Sequence, residues 1–184
     1  VPLVYVNRQP INVDTLPDNQ AFVASNESES SRQGFIEQCN QWKAAGKAEV
    51  SVYVMQGELS NQAAVQRTQN YTDVVNEGLC AVKVNVIDQQ TANWSQTEAF
   101  DVMESLLQAN PDVKGVICGN DTMALGAQAA LDAAGMSDVF VVGFDGSDDV
   151  NDSILAGKID AGALQPVAEM AIQAAIQADE YIKT

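Results

Sequence analysis

Asn7, Arg8, Asn120, Asp145 and Gln165 share one circumstance: each lies within two residues of the end of a short apolar run, as in Val6-Asn7-Arg8, Cys118-Gly119-Asn120-Asp121, Phe144-Asp145 and Leu164-Gln165. Met55-Gln56 and Ile87-Asp88 repeat the pattern, although there polar residues that merely begin loops are the plainer reading. Carboxylate, amide and guanidinium groups are planar and can each span two vicinal hydroxyls, with charge-assisted hydrogen bonds stronger than neutral ones. An indole such as Trp94 offers a flat apolar face to the C–H side of a sugar ring, and Arg67 adds a second guanidinium. The combination is suited to holding a neutral polyhydroxylated molecule.

Other chemistries lack their residues. The 184-residue chain has no histidine, which removes Ser-His-Asp and Cys-His nucleophiles and the commonest zinc and iron ligand sets. No G-x-G-x-x-G or G-x-x-x-x-G-K-[ST] loop is present to cradle phosphates. Phe144-Asp145-Gly146-Ser147 is similar to the nucleophile loop of haloacid-dehalogenase-like phosphatases, but Ser147 stands where the second aspartate is needed. Asp145, Ser147 and Asp149 have the odd-position spacing of a calcium loop, yet Val150 occupies the glycine place and no glutamate follows at the twelfth. The reading calls for no cofactor and no metal.

Twenty-five acidic against nine basic residues leave a net charge of −16, a field that repels phosphate backbones and anionic head groups, so nucleic acid is not an expected partner. With 46% hydrophobic and 18% charged residues the chain can bury a sizeable core. No apolar run approaches the roughly 20 residues needed to span a bilayer, and no membrane insertion is expected. Cys39, Cys80 and Cys118 are far apart, odd in number and without a C-x-x-C pair, and read as small buried hydrophobes rather than a disulfide framework.

The elements that must position the polar residues follow from periodicity. Apolar runs at Leu3–Val6, Ala21–Ala24, Val50–Met55, Val82–Ile87, Gly115–Cys118, Val139–Phe144 and Ala161–Leu164 predict strands, continuous as doubly buried parallel strands should be. Helical spacing predicts Glu29–Ala44, Ala63–Asn76, Gln96–Ala109, Thr122–Ala134, Val150–Ala156 and Pro166–Ile182 between them, with Gly46, Gly78 and Gly135 as closing glycines and Gln9–Asn19 as a loop. The alternation defines an α/β fold, a Rossmann-like parallel sheet sandwiched by helices. Ligands of open parallel sheets bind outside the carboxyl ends of the strands, where these polar groups would share one edge.

Gly115-Val-Ile-Cys-Gly-Asn-Asp-Thr-Met-Ala-Leu-Gly-Ala127 and Val141-Val-Gly-Phe-Asp-Gly146 resemble the N-D-x-M-A-L-G-A and V-V-G-F-D-G stretches of the bacterial periplasmic sugar-binding proteins of ABC transporters, ribose-binding type. These share a fold, that of type I periplasmic binding proteins, with LacI-type repressor effector domains. Val1-Pro-Leu-Val-Tyr-Val-Asn-Arg8 and Ala21-Phe-Val-Ala-Ser-Asn26 resemble the same family, and the likeness runs along essentially the whole chain. It implies ligand contacts at Asn7, Arg8, Arg67, Trp94, Asn120, Asp145 and Gln165, with asparagine at position 7 where the family more often has aspartate. Arg67-Thr-Gln-Asn-Tyr71 likewise departs from the usual R-x-x-G-F.

The resemblance further implies that most of an amino-terminal lobe is absent. Residues 1–25 would be its remnant, 26–165 a complete carboxy-terminal ligand-binding lobe, and 166–184 a helix returning to the first lobe. Faces left bare would favour dimerisation, strand exchange or local disorder. The expected function is a non-enzymatic solute-binding protein: two lobes close about a hinge on a monosaccharide or polyol and deliver it to a membrane permease. Its place would be the periplasm, or a lipid anchor outside a Gram-positive cell. The alternatives are the effector domain of a LacI-type regulator and, behind it, a sugar-active enzyme using Asp145 and Asp121.

Overall fold

A computed structural model describes residues 1–183. Thr184, the last residue of the expected returning helix, lies outside the described residues. Two parallel sheets organise the chain. β1 (Leu3–Val6) pairs with β2 (Gln20–Val23), placing Tyr5 opposite Phe22. The second sheet has the order β4-β3-β5-β6-β7, formed by β3 (Glu49–Gln56), β4 (Lys83–Thr91), β5 (Gly115–Cys118), β6 (Phe140–Asp145) and β7 (Ala161–Leu164). The expected α/β class and all seven strands are found, with β4 running past Ile87 to Thr91. A short 3-10 turn, Val13–Thr15, interrupts the expected loop at Gln9–Asn19.

Alternation along the strands sorts side chains to two cores. Val50, Val52 and Val54 of β3 and Ile117 of β5 meet Phe35, Cys39 and Trp42 of α1 (Glu27–Ala44) and Tyr71 and Val74 of α2 (Gln62–Asn76). Tyr53 and Met55 of β3, with Val116 and Cys118 of β5, point the other way. There they meet Met103 and Leu106 of α3 (Gln96–Ala109), Met123 and Leu131 of α4 (Asp121–Ala133) and Val150 of α5 (Asp148–Leu155). From β3 the chain steps outward to β4 over one face, then returns past β3 to β5 over the other. The strand order thus reverses between β3 and β5, the place where crossover loops splay apart and leave a crevice.

The two sheets are joined by two crossings. Ala24–Asn26 leads from β2 into α1, and Gln165-Pro166 leads from β7 into α6 (Val167–Lys183), which packs back on β1 and β2. Pro166 precedes α6 rather than opening it. No helix among the described residues is long and apolar enough to cross a membrane.

One expectation is overturned. Cys39 and Cys80 form a disulfide, with Cα atoms 5.3 Å apart, that staples α1 to the segment after α2. Forty-one residues separate them, and they meet only because α1 and α2 lie side by side on one face of the sheet. Cys118 fits the expectation: it is free and buried, and burial pushes its thiol pKa upward.

Candidate functional site

The carboxyl ends of β1, β5, β6 and β7, with the start of α2 and the loop after β4, surround a cleft of about 210 Å³. Asn7, Arg8, Arg67, Trp94, Asn120, Asp145 and Gln165 all line it, together with Asn61 and Ala63, which the sequence did not single out. The cleft lies at the strand-order reversal, so residues from distant segments converge because the strand ends do. Gln56 and Asp88 stay out of the lining. Gln56 Nε2 donates to Thr68 Oγ1 at 3.3 Å, and Asp88 Oδ1 accepts from the Gln89 amide within β4 at 2.8 Å.

Arg67 is the most constrained of the set. It is 4% exposed, its Nε donates to Glu27 Oε2 at 2.6 Å and its Nη1 donates to the Gly119 carbonyl at 2.6 Å. Its guanidinium carbon stands 3.5 Å from the Phe144 ring centroid and 5.7 Å from that of Trp94, a cation held between aromatic rings. Asp145 Oδ1 is farther away, at 3.5 Å from Nη1. Arg8 contrasts with it: its side chain is 68% exposed and reaches Glu58 only at 3.4 Å, an ion pair of little energetic weight.

Four described residues other than glycine have positive φ, and three of them line the cleft: Asn7 (65°), Trp94 (64°) and Asp145 (129°). The fourth, Asn93, precedes Trp94. Such conformations cost roughly 1–3 kcal/mol and persist where surrounding contacts hold them. At Asp145 those contacts are visible. The Gln165 amide donates to the Asp145 carbonyl at 2.9 Å, and the Ser147 amide donates to Asp121 Oδ2 at 2.6 Å, tying the turn to α4. Asp121 lies over Gly143, where a Cβ would come within 2.4 Å of its Oδ1.

Asn120 Oδ1 accepts from the Met123 amide at 2.9 Å and so caps α4, leaving Nδ2 for the cleft. The indole of Trp94 rests on Gly57, where a Cβ would meet Cζ2 at 2.1 Å. Gly57→Ala is therefore expected to lift the indole and to lower stability by about 1–3 kcal/mol. The check is a melting curve with tryptophan emission, since Trp42 lies fully buried in the other core and reports no change.

Burial is the main influence that pushes the Asp145 carboxyl up from 3.8 to about 6; Arg67 opposes it, while Asp121 and Glu27 add to it. The native state thus holds this proton longer than the unfolded chain does. The contribution of Asp145 to stability is expected to fall as pH rises from 3.8 to about 6. Binding should move the opposite way, because charge-assisted bonds from ligand hydroxyls need the ionised carboxylate. Titration calorimetry from about pH 5 to about pH 7.5 is expected to show rising affinity, and Asp145→Asn should flatten that profile.

Glu27 carries no expectation from the sequence: it falls between the stretch that ends at Asn26 and the helix expected from Glu29. It is 8% exposed and lies in the first turn of α1 behind its cap, Asn26. Its Oε1 accepts from Ser25 Oγ at 3.1 Å and from Gln165 Nε2 at 3.2 Å, while Oε2 holds Arg67. The signal in the sequence is its place directly after the Ala21–Asn26 stretch that carries the family resemblance.

A parallel α/β lobe with a polar crevice at its strand-order reversal, floored by a buried arginine and walled by an indole, has the geometry of a small-molecule site. Comparison with known proteins makes this specific. Residues 1–184 match the family model described as a periplasmic binding protein domain, and the chain belongs to that family. It is 58% identical over 129 residues to a D-apiose import binding protein of Actinobacillus succinogenes, covering 70% of this chain and 41% of that protein. It is 44% identical over 167 residues to a putative rhizopine-binding protein of Rhizobium meliloti, covering 90% and 52%. A solved ABC transporter solute-binding protein of Bacillus halodurans with bound myo-inositol matches with TM-score 0.81 at 28% identity, over 100% of this chain and 60% of that one. The chain spans about half the length of the curated relatives it matches. Nothing in these relatives supports the regulator alternative.

Proposed function

We propose that this chain is part of the solute-binding component of an ABC import system, which captures a monosaccharide or polyol without chemical turnover and hands it to a membrane permease. The observation that carries the reading is the convergence of Asn7, Arg8, Arg67, Trp94, Asn120, Asp145 and Gln165 on one cleft. In this reading amide and carboxylate groups take the ligand hydroxyls, Arg67 takes a ring or hydroxyl oxygen, and the Trp94 indole stacks on the C–H face. Relatives named for D-apiose and ribose import support the ligand class. Residues 26–165 form the ligand-binding lobe, and residues 1–25 and 166–184 belong with a second lobe. The exposed Leu3, Val6, Val167 and Ile172 suit such a partner lobe. The Cys39–Cys80 disulfide suits an oxidising compartment such as the periplasm or the cell exterior.

Thermal unfolding against D-apiose, D-ribose, D-allose and myo-inositol tests this. At about a thousand times the dissociation constant a true ligand adds about 4 kcal/mol. A rise with one compound and no turnover of it supports the reading. A flat response to all four, repeated in calorimetry, contradicts it.

A further inference from the structure

Arg67 serves the cleft, yet its shortest side-chain contact is with Glu27 and not with the cleft carboxylate Asp145. Glu27 has two oxygens with different tasks. Oε2 holds Arg67 Nε at 2.6 Å, and Oε1 takes Ser25 Oγ from the first crossing between the sheets and Gln165 Nε2 from the second. Gln165 Nε2 also lies 3.0 Å from Asn7 Oδ1 and 3.1 Å from Ser25 Oγ, three acceptors for two hydrogens. The three acceptors therefore compete for the two hydrogens of this amide.

We propose that Glu27 is the positioning residue of this cleft: a single carboxylate that fixes the arginine through one oxygen and both inter-sheet crossings through the other, so that the arginine's place depends on the geometry of the crossings. The proposal rests on reading the cleft as the ligand site. Burial of Glu27 and Arg67 keeps water from replacing either bond, and the position of Glu27 in the first turn of α1 suits a negative charge. With Arg67 held at Glu27 at 2.6 Å, Asp145 keeps only a long contact to Nη1, at 3.5 Å, and faces the carboxylates of Asp121 on α4 and Glu27 on α1. Burial is the main cause that raises its titration; Arg67 opposes this, and Asp121 and Glu27 add to it.

The test reads Asp145 in ligand-free protein, by carbon-13 NMR titration of its carboxyl, in Glu27→Gln and Glu27→Asp. Aspartate keeps the charge but is one methylene too short to hold Arg67 and the crossings together. If Glu27 positions Arg67, both variants release the guanidinium toward Asp145, and the midpoint falls by about one pH unit or more. A fall in Glu27→Gln alone means that Glu27 acts through its charge and not through position, and overturns the proposal. No fall in either variant also overturns it. Should Glu27→Gln fail to fold, Glu27→Asp decides alone. Because no ligand enters this experiment, its failure is distinct from failure of the functional reading, which shows as wild-type protein binding none of the four sugars and polyols.

Discussion

Arg67→Ala is expected to destabilise the protein by about 3–5 kcal/mol, because it strands the Glu27 carboxylate in a water-excluded site. The side chains of the pair are 5% and 9% exposed, so neither charge can recover its hydration without local opening. The Gly119 carbonyl loses its donor in the same step. Much of this loss is the penalty of an unpaired buried charge and not the worth of the pair, so the double change Arg67→Met with Glu27→Met should cost less than Arg67→Ala alone. Denaturant unfolding of both variants separates the two. An equal or greater loss in the double variant would show that the bonds from Ser25 and Gln165 to Glu27 matter more than the ion pair. Sugar affinity should fall about ten- to hundredfold in Arg67→Ala, the range for one charge-assisted hydrogen bond.

Loss of the disulfide should rank beside it. Joining residues 41 apart removes loop-closure entropy from the unfolded chain equivalent to about 4 kcal/mol. Cys39→Ser with Cys80→Ser should therefore lower the melting temperature by roughly 8–16 °C for a chain of this size. The same shift should follow when the wild type is melted in reductant. The cleft is walled by α2, α4 and strand ends rather than by the bridge, so affinity measured well below the melting point should hold. A variant that melts like the wild type would show that packing of Phe35, Trp42 and Tyr71 between α1 and α2 already carries the staple's share.

Much of this protein was legible in its residues. Strands and helices came from periodicity, because burial of a sheet on both faces demands unbroken apolar runs and a helix buries a stripe. The seven cleft residues were legible as well, since all but Arg67 and Trp94 lie at the carboxyl end of a strand or within two residues of it, and parallel strands bring those ends to one edge. Long-range pairing was not. Cys39 meets Cys80, and Glu27 meets Arg67 and Gln165, only through the packing of α1 beside α2 and the return of β7 toward the first crossing. Nor did residue types foretell that Asp145 and Trp94 would sit at positive φ, or that Gly57 leaves room for an indole. Local pattern reports which face of an element is apolar, a property of a few consecutive residues. Which two side chains share a bond is decided by how the elements dock, and that depends on the whole chain at once.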